Sequence, residues 1–357
     1  MNRIRTPLLI VLLGALSVGW RSGGNGLLQY PQNMSLQDSI LLVSDRYSGV
    51  HVFDVSDPAD PQRRYVIPML ENRGNAMKGD ILYTNDWQAL YAIRLEADTF
   101  TVVRKIVSFG YNEQPYEGMY RDEGGFGCAC PSDGYDAVPL SSGSTGSSYA
   151  TFAVIGDYLY FFSYGELVTM DISTPEDPVE LSRTRLEWSV QTIYPTQRYL
   201  FLGGSRGMYI YSRESPANPV KVGQLVHARS CDPVVVSGRY AYVTLRGGNT
   251  CGQTNDLFLV VYVADPANPQ LRSQTPLPTP YGLAVDFPLA YISNGNGGTS
   301  LIDVREAAAP VKLQSWSGIR SKDFILRDDI LYVMGFDDVR LYDVSDPLDP
   351  VQLSGIQ

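Results

Sequence analysis

One phrase recurs along this chain: an apolar strand, an acidic turn, then two prolines three residues apart. It reads Val52-Phe53-Asp54-Val55-Ser56-Asp57-Pro58-Ala59-Asp60-Pro61 near the start and returns as Leu341-Tyr342-Asp343-Val344-Ser345-Asp346-Pro347-Leu348-Asp349-Pro350 at the end. Between them stand Met170-Asp171-Ile172-Ser173-Thr174-Pro175-Glu176-Asp177-Pro178, Ser215-Pro216-Ala217-Asn218-Pro219 and Asp265-Pro266-Ala267-Asn268-Pro269, and a worn copy from Leu301-Ile302-Asp303-Val304 to Pro310. The second prolines Pro178, Pro219, Pro269, Pro310 and Pro350 fall about 41 residues apart, with one longer step. A period of ~40–45 residues suits a four-stranded propeller blade.

Each unit carries the same parts. An apolar segment ends in a polar turn, as in Pro233-Val234-Val235-Val236-Ser237-Gly238-Arg239, and a second strand follows, Tyr240-Ala241-Tyr242-Val243. The second strand matches Tyr158-Leu159-Tyr160-Phe161, Tyr199-Leu200-Phe201-Leu202 and Ile330-Leu331-Tyr332-Val333. A third strand leads into the Asp-Pro turn and a short fourth follows it, as in Val351-Gln352-Leu353. Short β-branched and aromatic runs bounded by Gly, Pro, Asp and Asn are strand signals, and no helical periodicity competes with them. A degenerate unit at Gly79-Asp80-Ile81-Leu82-Tyr83-Thr84 with Leu90-Tyr91-Ala92-Ile93 brings the copies to seven. The expected fold is therefore all-β: one seven-bladed β-propeller of four-stranded blades over residues 31–357.

Proline fixes its own φ and pushes the residue before it towards extended backbone, so each third strand must stop at its Asp-Pro turn. The Asp or Ser just before bonds its side chain to the turn backbone. These acids read as turn formers and not as calcium ligands, because each belongs to a different blade. Ring closure has two solutions: the seventh blade docks directly on the first, or Leu27-Leu28-Gln29-Tyr30 adds an edge strand to it.

The segments Val52-Phe53-Asp54-Val55, Val168-Thr169-Met170-Asp171-Ile172, Leu301-Ile302-Asp303-Val304 and Leu341-Tyr342-Asp343-Val344 resemble the LVIVD-repeat family of bacterial β-propellers, which are exported and often lipid-anchored. The resemblance covers about residues 39–357; Ser212 and Tyr262 replace the acid in two copies. The family is defined by its repeat and not by a reaction, so the resemblance implies a fold and a compartment.

Residues 1–19 read as an export signal: Arg3 and Arg5 form a basic head, residues 8–16 a short apolar run, and Ser17-Val18-Gly19 a small-residue cleavage site. That run is too short to span a membrane, which takes ~20 residues. Leu16-Ser17-Val18-Gly19 also resembles the approach to a lipoprotein cleavage site, but Trp20 stands where the acylated cysteine would. A periplasmic, secreted or cell-surface protein is expected, with residues 20–30, including Ser22-Gly23-Gly24-Asn25-Gly26, as a flexible tether. A net charge of −10 disfavours nucleic acid and anionic lipid as partners.

Four cysteines suit an exported protein. Cys231 opens the fifth blade and Cys251 lies in an insertion at residues 246–256 of that blade. Their bridge would close a loop of about 20 residues, worth ~3 kcal/mol. Cys128 and Cys130 lie in a longer insertion at residues 110–149, which ends in the low-complexity run Ser141-Ser142-Gly143-Ser144-Thr145-Gly146-Ser147-Ser148. They suit a disulfide, local or to the other pair, better than a metal, since the region lacks further Cys or His ligands. The serine-glycine run reads as a mobile linker with no site of its own.

Propellers bind over the central channel or on loops of one face, where insertions collect. Aligned on the second strand, the blades place Gln32, Arg73, Ala150, Gln191, Asp232, Tyr281 and Lys322 at the start of their inner strands. This is either a solvated rim that tolerates any residue or a polar binding cup of Arg73, Gln191, Asp232, Tyr281 and Lys322, with Arg229 and Arg320 nearby. Of two histidines, His51 should have a packed or solvated role on a strand, while His227, close to Arg229 and Asp232, is a weak candidate general base. No nucleophile elbow, phosphate loop, zinc signature or cofactor motif appears. The residues favour a non-catalytic binding or scaffold propeller, holding an envelope or extracellular protein or glycan on its insertion-bearing face. The alternative is a hydrolase or lyase working in the central funnel through His227, Asp232 and Lys322.

Mass mapping of the non-reduced, oxidised protein is expected to return one linked peptide pair containing Cys231 and Cys251. A free Cys231 thiol would refute that bridge.

Overall fold

The computed structural model describes residues 27–69, 72, 74–86, 88–107, 145–186, 190–226, 233–247 and 255–357. Seven antiparallel sheets form a seven-bladed propeller, each sheet built from four strands consecutive in sequence. The inner strands are Pro31–Gln37, Asn75–Lys78, Phe152–Ile155, Val190–Pro195, Val234–Ser237, Leu283–Asp286 and Asp323–Arg327. The first sheet gains a fifth member, the two-residue strand Thr145–Gly146, on the channel side of its inner strand.

Burial explains the sequence pattern. Second and third strands are covered on both sides, so Ile40–Asp45 and Gly49–Asp54 are buried almost throughout. Alternate side chains serve different neighbours: Leu41, Val43 and Phe53 enter the cluster shared with blade seven, while Leu42, Val50 and Val52 enter the one shared with blade two. Outer strands have one wet face, and Val220–Val226 alternates strictly between exposed and half-buried residues. Among the described residues the apolar core is seven separate clusters, one at every seam of the ring.

The Asp-Pro turns behave as their chemistry predicts. Asp54 Oδ1 accepts from the Ser56 amide (3.0 Å), Asp57 Oδ1 from Ala59 (2.9 Å), and the Asp57 carbonyl from Asp60 (3.1 Å). The last copy repeats this with Ser345 on Asp343 (2.8 Å), Leu348 on Asp346 (2.9 Å) and Asp349 on the Asp346 carbonyl (3.1 Å). At the drifted copy, the Ser212 hydroxyl does the same work, accepting from Glu214 (3.2 Å).

These turns also fasten blade to blade. Tyr83 and Tyr160 donate their hydroxyls to the carbonyls of Pro175 and Pro216 in the next blade's turn, each at 2.8 Å. Ser182 and Ser354, at matching places on their outer strands, donate to Ala217 and Pro58 (2.6 Å each). Gly223 holds that place in blade four, where a Cβ would lie 1.9 Å from the Pro266 carbonyl oxygen.

Of the two closures open from the sequence, the ring uses direct docking. All four strands of blade seven lie within residues 323–356, and residues 27–30 pair with none of them. Leu28 instead sinks its side chain into the apolar cluster between blades seven and one. Arg327 crosses the same seam to the carbonyls of Leu36 (3.1 Å) and Asp38 (3.2 Å).

Gly223→Ala is expected to lower stability by ~1–3 kcal/mol, because the turn of blade five must be pushed away. Gly355→Ala, where a Cβ meets nothing nearer than 3.7 Å, should cost far less. Urea denaturation of the two variants checks the difference.

Candidate functional site

Antiparallel order sets which loops share a face. Inner strands start on the face that also carries the turns between second and third strands and the links from each outer strand to the next blade; call it the upper face. The Asp-Pro turns lie on the opposite, lower face. Strand Phe100–Val107, which leads into the long insertion, ends on the upper face. The short insertion also opens there, between Tyr240–Leu245 and Leu257–Tyr262. Asp256 braces its base, accepting from the amides of Gly247 (2.6 Å) and Thr279 (2.8 Å).

Of the rim positions, Gln32 and Gln191 each sit where the ladder register slips, Pro31/Asn33 in blade one and Val190/Thr192 in blade four. A bulge leaves one residue unpaired and re-aims its side chain. Ala150 is buried and its carbonyl accepts from Ile193 of blade four (2.9 Å). Arg73, His227, Arg229, Asp232 and the cysteines Cys128, Cys130, Cys231 and Cys251 lie outside the described residues.

Tyr281, Arg320 and Lys322 do come together, around a residue that sequence reasoning did not single out. Phe336, in the upper turn of blade seven, lies 6.0 Å edge-on from the Tyr281 ring. The Arg320 guanidinium is 5.5 Å and Lys322 Nζ 5.1 Å from its centroid. Lys322 Nζ also lies 4.1 Å from the Tyr30 ring and donates to the Pro31 carbonyl (3.1 Å). Arg246 stacks on Tyr281 at 4.0 Å. Arg320 Nε donates to Asn296 Oδ1 (3.1 Å).

Lys322 is only 8% exposed, and no carboxylate of the described residues lies within ion-pair distance of it. Burial pulls its pKa down to about 8, against the more distant attraction of Asp45 and Asp337. Of the cluster, Tyr281, Arg320 and Lys322 were candidates from the sequence; the signal for Phe336 is an aromatic residue in an otherwise polar turn.

The central channel is crossed by protein: residues 145–148, read from the sequence as part of a mobile linker, pair with or bond to blades one, six and seven, while residues 141–144 lie outside the described residues. From Thr145 the chain runs antiparallel to the inner strand of blade one, with Ser147 N donating to the Met34 carbonyl (2.9 Å). Ser147 and Ser148 are 1% and 3% exposed. The Ser148 hydroxyl donates to Asp323 Oδ1 of blade seven and accepts from the Leu283 amide of blade six (3.0 Å). Asp323 Oδ2 accepts from the Tyr149 amide (2.8 Å). The run looked like a linker because serine and glycine bury no apolar area; here their small size and hydroxyls suit a polar channel.

Gly282 makes the approach possible, since a Cβ there would lie 2.1 Å from Asp323 Oδ1 and 2.7 Å from Ser148 Oγ. Full burial pushes the Asp323 carboxyl up to about 7, in spite of its donors from Ser148, Ser147, Phe324 and Tyr149. Beside the plug, Asn75 Nδ2 donates to Asn33 (3.1 Å) and Ser44 (2.6 Å), and Ser35 donates to its Oδ1.

Of the two roles open to His51, packed or solvated, the structure shows the packed one. Its Nε2 lies 2.6 Å from the Ser48 hydroxyl, which also bonds Asp45 Oδ1 (2.8 Å). This trio is not a nucleophile relay: the carboxylate contacts the serine and not the imidazole, and His51 is fully buried. Asp45 instead holds the chain entering blade one, accepting from the amides of Gln29 (2.8 Å) and Tyr30 (2.6 Å). Burial would raise its pKa, but those donors with Ser48 and Tyr47 outweigh it and hold it low. Burial lowers His51 to about 4, helped by the Arg63 charge and opposed by Asp45.

Shallow cavities elsewhere carry no such group. One on the lower face is lined by Gln197, Arg198, Tyr199, Arg213 and Glu214, and its buried Arg213 is spent on Tyr160 Oη (3.0 Å) and the carbonyls of Thr196 and Gln197. Among the described residues no three His, Cys, Asp or Glu side chains gather as metal ligands.

The LVIVD repeat matches the chain at residues 150–185 and 228–274, so the chain carries LVIVD repeats. No curated protein matches it in sequence. Its fold is similar to that of a protein from Lactobacillus plantarum (14% identity, TM-score 0.63, covering 91% of this chain and 96% of that one). It is also similar to the periplasmic gluconolactonase PpgL of Pseudomonas aeruginosa (11%, 0.58, 92% and 96%). A third is BamB from Moraxella catarrhalis (9%, 0.53, 84% and 78%). At these identities the likeness is one of fold.

Two buried groups give opposite pH slopes. Asp323 titrates near 7 when folded against 3.8 ordinarily, so its contribution to stability is lost as pH rises from about 4 to 7. His51 titrates near 4 against 6.5, so its contribution grows as pH rises from about 4 to 6.5. Each slope is at most ~1.4 kcal/mol per pH unit, and in the wild type they largely cancel. Thermal melts of Asp323→Asn should show stability rising over that range, and those of His51→Gln should show it falling.

Proposed function

We propose that this protein is an exported, non-catalytic propeller that holds a protein or glycan of the bacterial envelope or cell exterior on its upper face. One observation carries this reading: residues 145–150 cross the channel where a funnel enzyme would need open space, while a cation–aromatic cluster crowds the rim above. The strands that lead into the insertions at residues 110–149 and 246–256, the main departures from the repeat, end on that same face. A fold whose repeats differ only in loops on one face varies its recognition there at little cost to the core.

Export is supported by the basic head and apolar run of residues 1–19 and by the cysteine usage. It is in keeping with the LVIVD repeats and with the periplasmic location of PpgL among proteins of this fold. Among the described residues no helix is long and apolar enough to cross a membrane. The funnel-enzyme alternative would work in the channel through His227, Asp232 and Lys322, yet Lys322 faces the aromatic rim of Tyr30 and Phe336, while residues 145–150 cross the channel itself.

Crosslinking capture from the native envelope tests the reading. Wild type and a lower-face control, Arg305→Gln, are expected to enrich the same partner, and Lys322→Met/Arg320→Gln to lose it. Equal capture by all three, or no enriched partner, would overturn the upper-face assignment.

A further inference from the structure

Lys322 poses a specific problem. An ammonium has three N–H donors and prefers a counter-charge once removed from water. Among the described residues, Lys322 Nζ has one hydrogen bond, to the Pro31 carbonyl, and two aromatic rings. Ring faces attract a cation but accept its hydrogen bonds poorly. Water could take up the spare N–H groups, but it supplies no charge.

A second cation faces the same ring. Arg320 is exposed and spends Nε on Asn296, and its terminal N–H groups have no partner among the described residues. Both cations therefore border one aromatic wall, Phe336, on a chain whose net charge is −10.

The neighbours of these cations narrow the ligand. Asp337, exposed beside Phe336, puts a negative charge close enough to act on Lys322. Asn296 offers an amide next to Arg320. A phosphate chain or an acidic peptide, which lacks sugar hydroxyls to place against Asp337, would set anionic groups there and meet repulsion. A ligand with a single carboxylate and several hydroxyls would use every group: the cations for the carboxylate, Asp337 and Asn296 for the hydroxyls, and the flanks of Phe336 and Tyr281 for its C–H surface.

We infer that Lys322, Arg320, Asn296, Phe336, Asp337 and Tyr281 form a subsite for a hexuronate, a sugar bearing one carboxylate, either free or as a residue of an acidic polysaccharide. The inference rests on the upper-face binding reading and specifies its chemistry. Lys322 receives the carboxylate in the less hydrated part of the site, and Arg320 clamps it from the solvent side, where a guanidinium pairs with both oxygens.

Titration calorimetry of the full mature protein tests it, with galacturonate, tetragalacturonate, a neutral tetrasaccharide and a tetraglutamate peptide as probes. Saturable uronate binding, at least tenfold tighter than to the neutral sugar, is expected. Binding of the monomer identifies the free acid as sufficient; binding of the tetramer alone identifies the polysaccharide; either supports the subsite. Arg320→Gln, a change at an exposed side chain that leaves the fold intact, should weaken binding tenfold or more. Lys322→Met should abolish it.

No uronate binding, equal affinity for the neutral sugar, tighter binding of the peptide, or an unchanged Arg320→Gln would each overturn the inference. Envelope capture can still succeed in that event, so loss of the subsite and loss of the binding reading are separable outcomes.

Discussion

The ring depends on the seam between neighbouring blades. A single four-stranded sheet cannot bury both of its faces, so each blade borrows its cover from the next, and seven apolar clusters close the circle. Apolar packing alone would let blades slide, because it has little direction. The Asp-Pro turns supply the direction. Each is a rigid carbonyl-bearing corner, and hydroxyls from Tyr83, Tyr160, Ser182 and Ser354 reach across a seam to such corners. The acids of the repeat thus shape the turn, and the turn sets the angle between blades.

At the centre the protein accepts costs that the seams do not carry. Lys322 and Asp323 are consecutive at the entrance to the last inner strand, yet their side chains meet opposite surroundings. Lys322 meets Tyr30 and Phe336 at the rim, while Asp323 meets the serines that cross the channel. Burial drives their pKa values towards each other from opposite sides, to about 8 and about 7. Two ionisable groups placed so expensively at the start of one inner strand join the channel-crossing serines below to the cluster above.

Much of this was legible before any coordinates, and the gaps have definite causes. The proline pairs marked six blades, and the strand pattern recovered the degenerate second one. Tyr281 and Lys322 could be aligned because the repeat assigns them equivalent places, and Arg320 was found as a neighbour of Lys322. Phe336, Tyr30 and Arg246 could not: they lie in loops or in the entry to blade one, where the repeat imposes no register. The serine plug was misread because its partners lie far away in sequence. Ser148 and Asp323 are 175 residues apart, and composition alone cannot tell a run of small hydroxyl residues that solvates itself from one that fills a polar channel.

The sequence by itself determined the number of blades, the order of their strands and the form of their turns. Those follow from local causes: side-chain alternation, the φ of proline and the reach of an Asp to its own turn. Only the tertiary structure decided how the ring closes, what crosses its axis and which cations share an aromatic wall. Each of those is set by groups brought together across the ring, and a repeat states how one blade is built without stating what its members meet at the centre.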